Sequence, residues 1–103
     1  MFRRGRFSDV IRTQLDLFER EHSDVIEEAA DRLAAYNRAD RDEAEELYGD
    51  FVDVVETGTE ILADLRDAYA ATLDEGVDEA YENEFNRAVA RRWKAFALEI
   101  ENR

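Results

Sequence analysis

The chain of 103 residues has no cysteine, no proline, four glycines and one lysine. Without cysteine it holds neither disulfides nor thiolate-bound zinc or iron–sulfur centres. Without proline, and with glycine only at Gly5, Gly49, Gly58 and Gly76, little in it interrupts a helix. No apolar run approaches the ~18 residues of a membrane span. A glycine-rich phosphate loop is missing, and neither a Ser/His/Asp set nor a cysteine nucleophile can be assembled. What is present is 45% hydrophobic and 40% charged, apolar enough to bury a core rather than to behave as an acidic disordered tail. The length suits one domain.

The charge is lopsided: 27 acids face 14 bases, a net −13, and the bases are 13 arginines plus Lys94. Carboxylates hold water and cations tightly, whereas lysine sets a compact ammonium on a long apolar stem. Trading lysine for Asp and Glu keeps a surface hydrated in molar salt, where the Debye length of ~3 Å screens the self-repulsion of so acidic a domain. In this composition the chain resembles the small acidic proteins of haloarchaea, and the resemblance implies a salt-adapted protein while carrying no functional motif. Residues 1–12 are net +3, residues 13–86 net −19 and residues 87–103 net +3. Arg3-Arg4 invites a twin-arginine reading, but Gly5-Arg6-Phe7-Ser8-Asp9 is charged where a signal's apolar core belongs, so a cytoplasmic protein is expected. A basic arm (1–7) then precedes a single domain (8–103).

Apolar residues recur at spacings of three and four. Phe7, Ile11, Leu15, Phe18, His22, Val25, Ala29, Leu33 and Tyr36 predict a first helix over about 9–37 with Ser8 as N-cap. Ser23-Asp24, both suited to a helix start, could interrupt it, but the stripe keeps its phase and one long helix is expected. Asp40, with Glu43 three residues on, opens a second helix over about 41–74. Its stripe runs Ala44, Leu47/Tyr48, Phe51, Val55, Gly58, Leu62, Leu65, Tyr69 and Leu73, and Gly76 is the left-handed residue beyond it. Asp78 caps a third helix over about 79–101, carrying Tyr81, Phe85, Val89, Trp93, Phe96 and Ile100. The expected fold is all-α, an antiparallel three-helix bundle. Gly58, on the buried stripe, makes room for a bulky neighbour, with Phe18 or Trp93 at its height.

The first two helices run roughly 45 Å and the third roughly 36 Å at 1.5 Å per residue, so the third stops short of the far hairpin tip. Ala29, Leu33, Tyr36, Ala44, Leu47 and Tyr48 are left without a third partner, and an uncovered ledge with aromatics marks a contact site. Leu33, Tyr36, Leu47 and Tyr48 are the expected interaction residues. The partner is a second copy, giving a homodimer, or another protein.

Other constellations are weaker. Glu19-x-x-His22 has the spacing of one half of a di-iron carboxylate site, but Glu56 and Glu60, the acids near its height, lie far around the second helix and face water. A half-buried histidine bonded to a carboxylate is expected instead. Glu43-x-x-Glu46 and Asp64-x-x-Asp67 share the local spacing of the magnesium ligands in all-α nucleoside triphosphate pyrophosphatases, the rival reading being a metal-dependent all-α hydrolase. Both pairs lie on one helix and face solvent, and the companion lysine is missing. Asp40-x-Asp42 fails as an EF-hand loop, with Glu45 and Phe51 at the glycine and bidentate positions. Arg3, Arg4 and Arg6 with Arg87, Arg91, Arg92 and Lys94 suggest a nucleic-acid surface, yet phosphate binding weakens steeply with salt, and pairing of Arg92 with Asp16, Glu19, Glu60 or Asp64 is the alternative. No cofactor and no membrane contact are expected.

Overall fold

A computed structural model describes residues 5–103, so Arg3 and Arg4 of the basic arm lie outside the described residues. The described chain is all-helical: α1 (Ser8–Glu21), α2 (Ser23–Arg38), α3 (Arg41–Ala70), α4 (Val77–Arg92) and, after a 3-10 turn at Lys94–Phe96, α5 (Ala97–Glu101). Five helices therefore stand where three were expected, because two of the anticipated rods are broken.

The first break is a single residue. His22 leaves the helical region at φ −128° and ψ 35°, while its N–H still donates to the Phe18 carbonyl at 2.8 Å. Ser23 and Asp24, residues suited to a helix start, open α2 at once, with the Asp24 carboxylate in the first turn where the helix dipole favours it. The second break changes the architecture. Trp93 is extended (φ −137°, ψ 97°), and beyond it the chain turns back along α4 rather than climbing on. The Arg66 guanidinium on α3 fixes this reversal, since it donates to Asn86 Oδ1 on α4 (3.0 Å) and to the carbonyls of Ile100 (3.2 Å) and Arg103 (2.8 Å). Ile100 is thereby buried at the height of Asn86, whereas a straight helix would have carried it toward the hairpin tip.

Helix ends follow the sequence unevenly. Asp40 caps α3, its Oδ1 accepting from the backbone N–H of Asp42 (3.1 Å) and Glu43 (3.2 Å). α3 stops at Ala70 rather than residue 74, closed by 3-10 bonds from Thr72 to Tyr69 and from Leu73 to Ala70. Gly76 has the expected left-handed conformation (φ 89°), but it is the N-cap of α4. Asp78, expected to cap this helix, lies inside its first turn, where its Oδ1 accepts from the Gly76 and Glu79 N–H groups. Ser8 is not a cap. It is the first residue of α1, behind Phe7, whose N–H donates to Glu84 Oε2 at 3.1 Å and whose ring meets Tyr81 edge-on at 5.4 Å.

The core fills the lower half of the molecule. Ile11, Leu15 and Phe18 from α1 meet Thr59 and Leu62 from α3, Tyr81, Phe85 and Val89 from α4, and Phe96 and Ile100 from the returning segment. Tyr81 is packed between Phe7, Tyr69 and Phe85, and its hydroxyl donates to Gln14 Oε1 at 2.9 Å. Burial pushes its phenol up to about 12, because the ionised form would lose its water.

Gly58 does make room for an aromatic, but the ring is Phe96 rather than Phe18 or Trp93, since the reversal at Trp93 sets Phe96 at that height. A Cβ at position 58 would lie 2.8 Å from Phe96 Cε1 and 3.2 Å from Val25 Cγ1. Helix propensity favours alanine by ~1 kcal/mol, whereas forcing a methyl into a packed core costs ~1–3 kcal/mol. Gly58→Ala is expected to lower the urea midpoint, through a loss of about 1 kcal/mol in unfolding free energy; a midpoint that rises would show that the Phe96 ring moves aside freely.

Candidate functional site

Burial stops abruptly along the α2–α3 hairpin. Ala29 is 1% exposed beneath the 3-10 turn, Val55 is the next buried residue, and nothing between them is buried. Ala29, expected at the open end, is thus covered by the returning segment, and the open tip begins at residue 30. The tip is an ordered pair of helices, joined across by Arg32, which reaches Glu28 at 3.5 Å and Asp50 at 3.8 Å.

On this tip Leu33, Tyr36 and Leu47 are half-buried and Tyr48 is 51% exposed. The Tyr36 and Tyr48 rings are 5.2 Å apart and Tyr48 lies 6.3 Å from Phe51, so three aromatics form one cluster with a free outer edge. At its lower end the apolar surface runs into a notch of about 210 Å³, walled by Ile26, Ala30 and Leu33 of α2 and by Trp93, Lys94 and Ala95 of the turn. Residues 30–54 carry eight acids and three arginines, a net −5, so the apolar strip has an acidic rim. The arrangement offers shape and hydrophobic contact. It contains no nucleophile poised beside a base.

The other sequence candidates are dispersed. His22 stands at the helix break with its ring 5.4 Å from Phe18, and no carboxylate bonds its imidazole among the described residues, contrary to expectation. Its height beside an aromatic, rather than a carboxylate, accounts for its partial burial. Glu19 faces Arg92 instead, at 3.3 Å, with Asp16 on the same guanidinium at 2.7 Å. Arg92 also covers the Trp93 ring at 5.0 Å, so the expected pairing forms with Asp16 and Glu19, while Asp64 borders a different groove. Glu43 and Glu46 are exposed in the first turns of α3, and Asp67 pairs with Arg66 at 2.9 Å. No three His, Asp or Glu side chains converge to hold a metal ion among the described residues.

Two features went unread in the sequence. Arg66, 4% exposed, sits one residue off the Leu65 stripe and reads as a surface charge until the returning carbonyls reach it. A second groove of about 340 Å³ opens between α1 and α3, lined by Leu17, Phe18, His22, Ile61 and Leu65, because α4 and α5 cover the opposite side of these helices. No helix among the described residues is long and apolar enough to cross a membrane. No protein-family profile, curated protein or solved structure matches the chain.

Proposed function

We propose that the chain is a salt-adapted helical protein–protein interaction module that pairs with a second copy of itself through the tip of the α2–α3 hairpin. One observation carries the reading: the core ends at Ala29 and Val55, while the chain continues as two ordered helices bearing Leu33, Tyr36, Leu47 and a half-exposed Tyr48. Aromatic and aliphatic side chains gathered on an uncovered helical ledge are the usual anchors of an interface. A second copy supplies a matching ledge at no cost in new sequence, and two two-helix ledges make a four-helix core. The acidic rim opposes self-association in dilute buffer, and molar salt removes most of that opposition.

Changing Tyr36 and Leu47 together to Asp places two further charges in the shared core. Light scattering in concentrated salt is expected to give half the mass of the unaltered protein, with helicity retained because neither residue belongs to the lower core. An unchanged mass would remove the tip as the pairing surface.

A further inference from the structure

We infer that the two tips pair antiparallel about a two-fold axis that passes beside Tyr48, so that the acidic apex of each hairpin seats against Lys94 of the other copy. The inference rests on the tip pairing proposed above and adds its direction, its register and its charge contacts.

Length sets the register. The open part of α3 runs from Arg41 at the apex to Val55, where burial resumes, and the 3-10 turn at Lys94–Phe96 rises as a wall at that lower end. A hairpin laid antiparallel on this face slides until its apex meets the wall, a span of roughly 21 Å at 1.5 Å per residue. At full overlap position 41 of one copy faces position 55 of the other, and position 48 faces itself. The residue there is Tyr48, the most exposed member of the aromatic cluster, with its ring already propped by Tyr36 and Phe51. Side chains at a two-fold axis meet their own copies, and an aromatic ring suits that place.

Charge selects the direction. Residues 38–46 hold five acids and two arginines. Parallel pairing would set one acidic apex against the other. Antiparallel pairing brings each apex to the notch, whose rim carries Lys94. Lys94 is the chain's one lysine, and it is exposed on the rim of the notch, in no ion pair among the described residues. Like charges opposed at the apex raise the free energy of one arrangement, while opposite charges lower that of the other, so the difference fixes orientation more than affinity.

The absence of native cysteine makes the test direct. Tyr48→Cys in molar KCl is expected to oxidise to a disulfide-linked pair in near-quantitative yield, because only an axis position brings identical Cβ atoms within about 4.5 Å. Leu98→Cys, 76% exposed on α5 and away from the tip, should stay unlinked under the same oxidant. Since Tyr48→Cys also removes a ring, a mixture of Asp42→Cys and Lys94→Cys chains provides a second measurement and should give the mixed disulfide in preference to either self-pair. Lys94→Glu is expected to weaken pairing about tenfold, and Glu43→Lys chains mixed with it should restore the mass. A dimer that links Asp42→Cys to itself, with Tyr48→Cys unlinked, would overturn the antiparallel arrangement and leave tip pairing standing. A monomeric unaltered protein at every salt concentration would overturn both.

Discussion

Replacing Arg66 with alanine is expected to destabilise the fold by about 3 kcal/mol, the usual result of removing one side of a buried, charge-assisted network. The guanidinium is 4% exposed and joins three elements: α3 carries it, α4 accepts through Asn86, and the returning segment accepts through the carbonyls of Ile100 and Arg103. Its own charge is met by Asp67 at 2.9 Å. Truncation leaves the buried Ile100 carbonyl without its side-chain donor and opens a space under α5. The effect should fall unevenly. The reversal after Trp93 loosens first, and with it the Phe96 ring that packs 6.2 Å from the indole and 6.3 Å from Phe18. Emission of the single tryptophan should therefore shift to the red at denaturant concentrations that leave the α2–α3 hairpin helical. Arg66→Lys should recover little, because an ammonium on a flexible stem does not reproduce the fork that reaches Asn86 and two carbonyls at once. A loss below about 1 kcal/mol with unshifted emission would mean that burial of Phe96 and Ile100 alone holds the segment.

Arg66 also shows where sequence reading stops. The apolar stripes were legible because spacings of three and four put Ile11, Leu15 and Phe18, or Tyr81, Phe85 and Val89, on one face, and those residues are in the core. The cap at Asp40 and the left-handed Gly76 were legible for local reasons, a carboxylate over free N–H groups and a backbone conformation that suits glycine. The break at His22 was signalled by Ser23-Asp24, both suited to a helix start, but was outweighed because it takes one residue and leaves the apolar stripe in phase on either side. The reversal at Trp93 was hidden because Trp93, Phe96 and Ile100 also fit a straight helix. Its consequence, the assignment of Phe96 rather than Phe18 or Trp93 to Gly58, was out of reach for any argument that matched heights along straight rods. The open tip survived these corrections for a physical reason. A third arm that turns back early covers less of its neighbours than a straight one, and only Ala29 passed from the open set to the buried one.

The fold itself is expected to depend on salt, with an effect larger than that of any single substitution. At 0.01 M ionic strength the Debye length is ~30 Å, comparable to the two shorter dimensions of the molecule, 29 and 23 Å, so nearly every carboxylate acts on every other across a cross-section. At 1 M it is ~3 Å, and only contacting charges interact. Internal cations do not offset the repulsion: residues 13–86 hold 24 acids and five bases, and of those bases Arg66 is already committed to the core. Far-UV circular dichroism is therefore expected to show most of the helicity lost below about 0.1 M KCl and regained above about 1 M. The α2–α3 tip, net −5 with no buried residue, should melt first as salt is withdrawn. Changing Glu43, Glu45 and Glu46 to Gln should move the transition to lower salt, which ties it to charge rather than to a general strengthening of apolar contacts. Full helicity in dilute buffer would refute the salt adaptation without touching the pairing surface. Light scattering on the same samples then separates the two: a folded monomer in dilute buffer that pairs as salt rises retains the tip, whereas a folded monomer at every concentration does not.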